Sequence, residues 1–140
     1  MTETLTVSRI IRAAPKSVFE AWTNPELLVK WWGPGTVSCP EAHVDLKAGG
    51  KYSIANLHAD GKVIWIKGTF SEVTPPEKLI YDWQMNGGDA PSTLVTVLFN
   101  EHPEGTEIVL THQRFVETAQ RDMHLSGWGG CIDKLEAMFA

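Results

Sequence analysis

The sequence predicts an α+β fold: an antiparallel sheet of about six to seven strands covered by one long C-terminal helix, with two short helices after the first strand. Three observations carry this. From Gly35 to about Phe115 extended runs are separated by turn residues rather than by helical segments, which is the pattern of an antiparallel meander. Within those runs the apolar residues fall on one face, because side chains alternate along a strand, and that face needs a cover. Residues 117–140 supply it, with an apolar stripe at three- and four-residue steps.

Residues 4–12 are rich in β-branched side chains and read as the first strand, broken by Ala13-Ala14-Pro15. Pro15 suits a first helical turn, and Val18, Phe19 and Trp22 recur at helical spacing before Asn24-Pro25 interrupts. A second short helix from Pro25 carries Leu27, Leu28, Trp31 and Trp32, and Gly33-Pro34-Gly35 ends it. A run ending near Leu46 is followed, after Ala48-Gly49-Gly50, by a strand over 51–57, and Asp60-Gly61 marks a tight hairpin into a strand over 63–73. Thr74-Pro75-Pro76 turns that strand into 78–85, and Gly87-Gly88-Asp89-Ala90-Pro91 makes a looser connection to 93–100. The last strand spans 106–114. Leu79, Tyr81, Trp83 and Met85 share one face, as do Val95, Val97 and Phe99, and Ile108, Leu110 and His112.

The closing helix over 117–139 would be about 34 Å long. Its stripe runs through Met123 or His124, Trp128, Cys131 or Ile132, Leu135, and Met138 or Phe139. Gly127, Gly129 and Gly130 each cost a helix interior roughly 1 kcal/mol relative to alanine, so their missing side chains must make room for something. The sheet and a ligand are the two candidates.

At 140 residues, the chain is expected to form a single domain over 1–140. With 43% hydrophobic and 21% charged residues it has enough apolar mass for one core. Twelve basic against seventeen acidic residues give a net charge of −5 with no basic cluster, which argues against a nucleic-acid partner. The longest apolar runs fall far short of the roughly 20 residues that span a bilayer, so no membrane insertion is expected, and with no signal-peptide pattern a cytoplasmic location is the expectation.

Cys39 and Cys131 form no CxxC and read as buried thiols rather than a disulfide framework. The six tryptophans are unusual, and each indole N–H needs a partner when buried. Either the core is aromatic or a pocket is, and strand phase and helix stripe aim Trp83 and Trp128 at the gap between sheet and helix. His112 and His124 could meet at the mouth of that gap as acid and base, as ligand contacts or as structural histidines. Neither lies in a metal-ligand spacing, so no metal is expected. Ser126 has no nucleophile elbow, and the double glycines lack phosphate-loop or dinucleotide patterns, so no catalytic residue and no cofactor is assigned. Glu72 sits either at a solvated strand end or at a polar cavity rim.

Trp31-Trp32-Gly33-Pro34, then Gly68-Thr69-Phe70-Ser71-Glu72-Val73 with Pro75-Pro76-Glu77, then Tyr81-Asp82-Trp83, Thr111-His112 and Gly127-Trp128 resemble, in order, the bacterial stand-alone members of the family named after the activator of the heat-shock protein 90 ATPase. That family lies in the START-like, Bet v 1-like (SRPBCC) superfamily. The resemblance implies a helix-grip fold with an apolar cavity between the sheet and the C-terminal helix. It implies first a non-catalytic module for a small apolar or aromatic molecule, lined by Tyr81, Trp83, Phe99, His112, His124, Trp128 and Cys131. A second implication is an enzyme of the polyketide cyclase or aromatase kind, with His112, His124 or Glu72 moving a proton. A third is a chaperone-associated, stress-response interaction protein using exposed apolar surface around Trp31-Trp32-Gly33-Pro34, with a homodimer among its allowed states.

Overall fold

The computed structural model describes residues 2–85 and 92–140. Strand β1 (Glu3–Ile11) is followed by helices α1 (Pro15–Thr23) and α2 (Pro25–Trp31), strands β2 (Ala42–Val44), β3 (Lys51–Leu57), β4 (Val63–Thr74), β5 (Lys78–Met85), β6 (Thr93–His102) and β7 (Gly105–Phe115), and helix α3 (Thr118–Met138). All strand pairs are antiparallel, and the curved sheet runs in the order β1-β7-β6-β5-β4-β3-β2. This is the α+β, helix-grip arrangement expected from the sequence. The run near Leu46 is shorter than expected: pairing stops at Val44, and Leu46 is exposed. The Gly87–Pro91 connection lies outside the described residues.

Local chemistry sets the two short helices. Pro15 and Pro25 sit at their first positions, where a missing N–H leaves no bond unmade. Asn24 ends α1 and caps α2, its side-chain oxygen accepting the Glu26 N–H at 3.0 Å. One residue thus turns the chain between the helices. Their buried faces, Val18, Phe19 and Trp22 with Leu28 and Trp31, pack into the concave side of the sheet.

That concave side is built by the alternation read from the sequence: Leu79, Tyr81 and Trp83 on β5, Val95, Val97 and Phe99 on β6, and Ile108, Leu110 and His112 on β7 are all buried. Helix α3 closes it with Trp128, Cys131, Ile132 and Leu135, while Met123 at the start of the expected stripe is about half exposed. Arg9 on β1 donates to Asp133 (2.7 Å) and Glu136 (3.1 Å), tying the outer side of α3 to the sheet edge. No helix among the described residues is long and apolar enough to cross a membrane.

Of the α3 glycines, Gly130 makes room for neither of the two expected occupants. A Cβ at position 130 would lie 3.0 Å from the Cβ of Pro34, so the Gly33-Pro34-Gly35 turn is what packs there. Lys134 and Cys131 fasten the same segment: Lys134 Nζ donates to the Val37 carbonyl (2.9 Å), and the Gly33 N–H donates to the Cys131 sulfur (3.4 Å). Gly33 has φ +105°, a conformation that a side chain would strain. The turn that ends α2 is therefore also the seat of α3.

Candidate functional site

Five tryptophans form one continuous cluster between the sheet, α2 and α3. Ring centroids lie 5.0 Å apart for Trp22 and Trp31, 5.4 Å for Trp31 and Trp32, 6.0 Å for Trp32 and Trp83, and 5.1 Å for Trp83 and Trp128. Trp65 is on the other face, stacked 6.4 Å from His43. The cluster solves the problem of its polar edges internally. Trp22 donates to the Tyr81 hydroxyl (3.3 Å), Trp31 to the Ala21 carbonyl (2.9 Å) and Trp32 to Asn56 Oδ1 (2.9 Å). Trp83 donates to His124 Nε2 (3.3 Å) and Trp128 to His112 Nδ1 (3.0 Å).

Those last two bonds fix both imidazoles. A ring nitrogen that accepts from an indole carries no proton, so the proton of neutral His112 sits on Nε2 and faces Thr93 Oγ1 at 2.6 Å. Thr93 in turn donates to the Trp83 carbonyl (3.4 Å). By the same logic, His124 keeps its proton on Nδ1, donating to the Gln120 carbonyl at 2.8 Å. The two histidines meet in space, with centroids 5.2 Å apart, but not at the mouth of the gap, since His112 is fully buried. Burial holds the His112 pKa down at about 3, with the nearby His124 adding to the effect, and burial also lowers that of His124. Both are neutral, and each has both nitrogens engaged.

Beside a pocket of about 570 Å³ along Trp83, Phe115 and His124 that carries Arg114 and Glu117, two further spaces adjoin the cluster. The first is a void of about 20 Å³ under Trp22, Leu28, Trp32 and Tyr81, room for about one water. The second is an apolar pocket of about 210 Å³ at the open side of α3. Trp32, Trp83 and Trp128 wall it, Ile64, Ile66 and Met85 floor it from the sheet, and Pro34, Met123, Gly127 and Cys131 complete the helix side. Asn56, His58 and His124 are its polar members, and among the described residues no Asp, Glu, Lys or Arg lines it.

The expected lining residues divide accordingly. Trp83, His124, Trp128 and Cys131 border the apolar pocket, and burial pushes the Cys131 thiol up to about 12. Tyr81 borders only the small void. His112 is fully buried behind Trp83 and Trp128, and Phe99 is enclosed by Phe19 and Trp22 at 5.2 and 5.8 Å, so both support the walls without facing the pocket. Glu72 lines neither space; it accepts from Thr74 and pairs with Lys78 at a strand end. The surface offered for a chaperone contact is corrected: Trp31 and Trp32 are buried at 1% and 4% exposure, Trp31 against Trp22 and Trp32 against Trp83 and Trp128. Among the described residues, no group of three or more His, Cys, Asp or Glu is placed to hold a metal. Asn56 and His58, with apolar members such as Trp32, Ile64, Ile66 and Met85, are not among the lining residues expected from the sequence, although the inward phase of Asn56 with Tyr52 and Ile54 on β3 is a usable signal.

A curved sheet gripping a C-terminal helix over an aromatic cluster defines a protein of the START-like class. Residues 12–140 match the family described as Activator of Hsp90 ATPase homolog 1-like protein, and the chain belongs to that family. Among solved structures it is similar to a Chromobacterium violaceum protein at 23% identity and TM-score 0.88, covering 97% of this chain and 96% of that one. It is also similar to a Nitrosomonas europaea protein (26%, TM-score 0.82, 96% and 92% covered) and to the AHSA1 protein of Silicibacter pomeroyi (22%, TM-score 0.86, 97% and 96% covered). No curated protein matches the chain.

Proposed function

We propose that the chain is a binding module for a small apolar or aromatic molecule, held in the pocket between α3, the turn after α2 and strands β3 to β5. The observation that carries this reading is the 210 Å³ pocket walled by three indoles and, among the described residues, free of Asp, Glu, Lys and Arg. A dry apolar cavity of about 150 Å³ already accepts benzene, whereas drug-sized ligands take about 300 Å³ or more, so a substituted benzene or a small bicycle matches the space. Each wall indole has its N–H bonded inside the protein, so the walls offer a ligand ring surface and no free donor. Recognition is by shape and stacking.

The cyclase reading draws less support. A proton carrier must offer a nitrogen or oxygen to the reacting group, and in this arrangement all four imidazole nitrogens of His112 and His124 are bonded to the protein. Titration with neutral aromatics, followed by tryptophan emission, tests the binding reading. Saturable binding in the range of tens of micromolar is expected for about ten well-packed atoms. No saturation by any of a panel of such compounds, with the fold intact by circular dichroism, overturns it.

A further inference from the structure

The geometry points to Asn56 as the polar anchor of the apolar pocket, selecting neutral aromatic molecules that carry one hydrogen-bond acceptor, of the aryl ketone or aryl aldehyde class. This rests on the reading that the pocket binds a ligand, and adds which ligand.

The orientation of the Asn56 amide follows from its partner. The Trp32 indole N–H can only donate, so the atom it meets at 2.9 Å must be the amide oxygen. The amide NH2 is then the group left to offer, and it makes no hydrogen bond to any described residue. Asn56 follows Tyr52 and Ile54 in inward phase on β3 and borders the pocket beside the indole that it holds. The other polar atoms around the pocket are mostly engaged. The indole N–H groups of Trp83 and Trp128 are bonded, as are both nitrogens of His124, and the Cys131 sulfur accepts from Gly33. That leaves the Asn56 NH2 and the His58 ring at the rim. A donor fixed at one edge of an otherwise apolar space rewards a ligand with an acceptor at one end. The charge of the ligand follows from the lining: with no Lys or Arg among the described lining residues, an ionised carboxylate would give up its water for one neutral amide donor and no counter-charge.

Three probes of nearly equal size separate the possibilities: acetophenone, ethylbenzene and benzoate, titrated by calorimetry and tryptophan emission into wild type and Asn56→Asp. The aspartate keeps an oxygen for the Trp32 N–H and removes the NH2 donor. Acetophenone is expected to bind wild type about fivefold tighter than ethylbenzene, the worth of one hydrogen bond, with benzoate weakest. In Asn56→Asp that preference should vanish or invert. Equal affinities of acetophenone and ethylbenzene for wild type, or a ketone preference that survives in folded Asn56→Asp, overturn the anchor while leaving the pocket standing. Failure of both neutral probes to bind wild type removes the pocket reading itself, and the anchor with it. If Asn56→Asp does not fold, the ranking of the three probes on wild type decides alone.

Discussion

His112 makes the fold sensitive to acid. Its folded pKa, about 3, lies below the ordinary 6.5, so between those values the unfolded chain binds a proton that the folded chain does not. The contribution is therefore fully present above about pH 6.5 and is lost as the pH falls toward 3. Because a protonated ring cannot accept from Trp128, the loss follows directly from the bond geometry. Denaturant melts across pH 4 to 7 are expected to show stability falling by about 1.4 kcal/mol per pH unit in the steepest part, as for one proton. A His112→Leu variant should flatten that slope even where its overall stability is lower. Trp128→Phe removes the donor and leaves Nδ1 of His112 buried without a partner, a loss of about 1–3 kcal/mol at neutral pH. Strand phase and helix stripe put His112, His124, Trp83 and Trp128 in one place from the sequence. Which nitrogen meets which indole was not legible, because it depends on ångström-scale offsets between β5, β7 and α3 that periodicity does not encode.

At the scale of elements, the contact between α3 and the Gly33-Pro34-Gly35 turn decides how the glycine cluster behaves. Nothing lies within 4 Å of a Cβ built at Gly129, so Gly129→Ala should raise stability by about 1 kcal/mol, the helix propensity difference. Gly130→Ala meets Pro34 at 3.0 Å and must push the turn away, so that gain should be cancelled or reversed. Gly33→Ala should be worst, since φ is +105° and the new Cβ would lie 2.5 Å from the Val37 carbonyl oxygen. Thermal melts of the three variants check the order, with Gly129→Ala highest and Gly33→Ala lowest. The sequence showed that the glycines make room for something, and its two candidates were the sheet and a ligand. Gly127 borders the pocket, but the neighbour of Gly130 comes from about 95 residues earlier, and a pairing over that distance leaves no periodic trace in the residues between. The strands were easier to read: Lys78–Met85 matches the expected run at both ends, because Pro75-Pro76 and alternating apolar residues are local signals.

For the whole molecule, the tryptophan cluster is at once core and pocket wall, so binding and stability are coupled through the same residues. Trp83 is 6% exposed and touches Trp32, Trp128 and both histidines, which puts Trp83→Ala in the range of about 3–5 kcal/mol of lost stability. Alanine at a wall residue cannot by itself separate a lost ligand from a loosened core. Gly127 offers a cleaner handle: it borders the pocket, and a Cβ there would sit 3.9 Å from Pro34 in ordinary contact. Gly127→Leu should therefore fill the pocket from the helix side while improving helix propensity. A ligand present at about a hundred times its dissociation constant stabilises the folded state by about 2.7 kcal/mol. For a chain of this size that raises the melting temperature by about 10 °C. Wild type with acetophenone should show this shift, and Gly127→Leu should melt at or above the unliganded wild type and show none. An equal shift in both proteins would place the ligand elsewhere on the molecule and take the pocket out of the account.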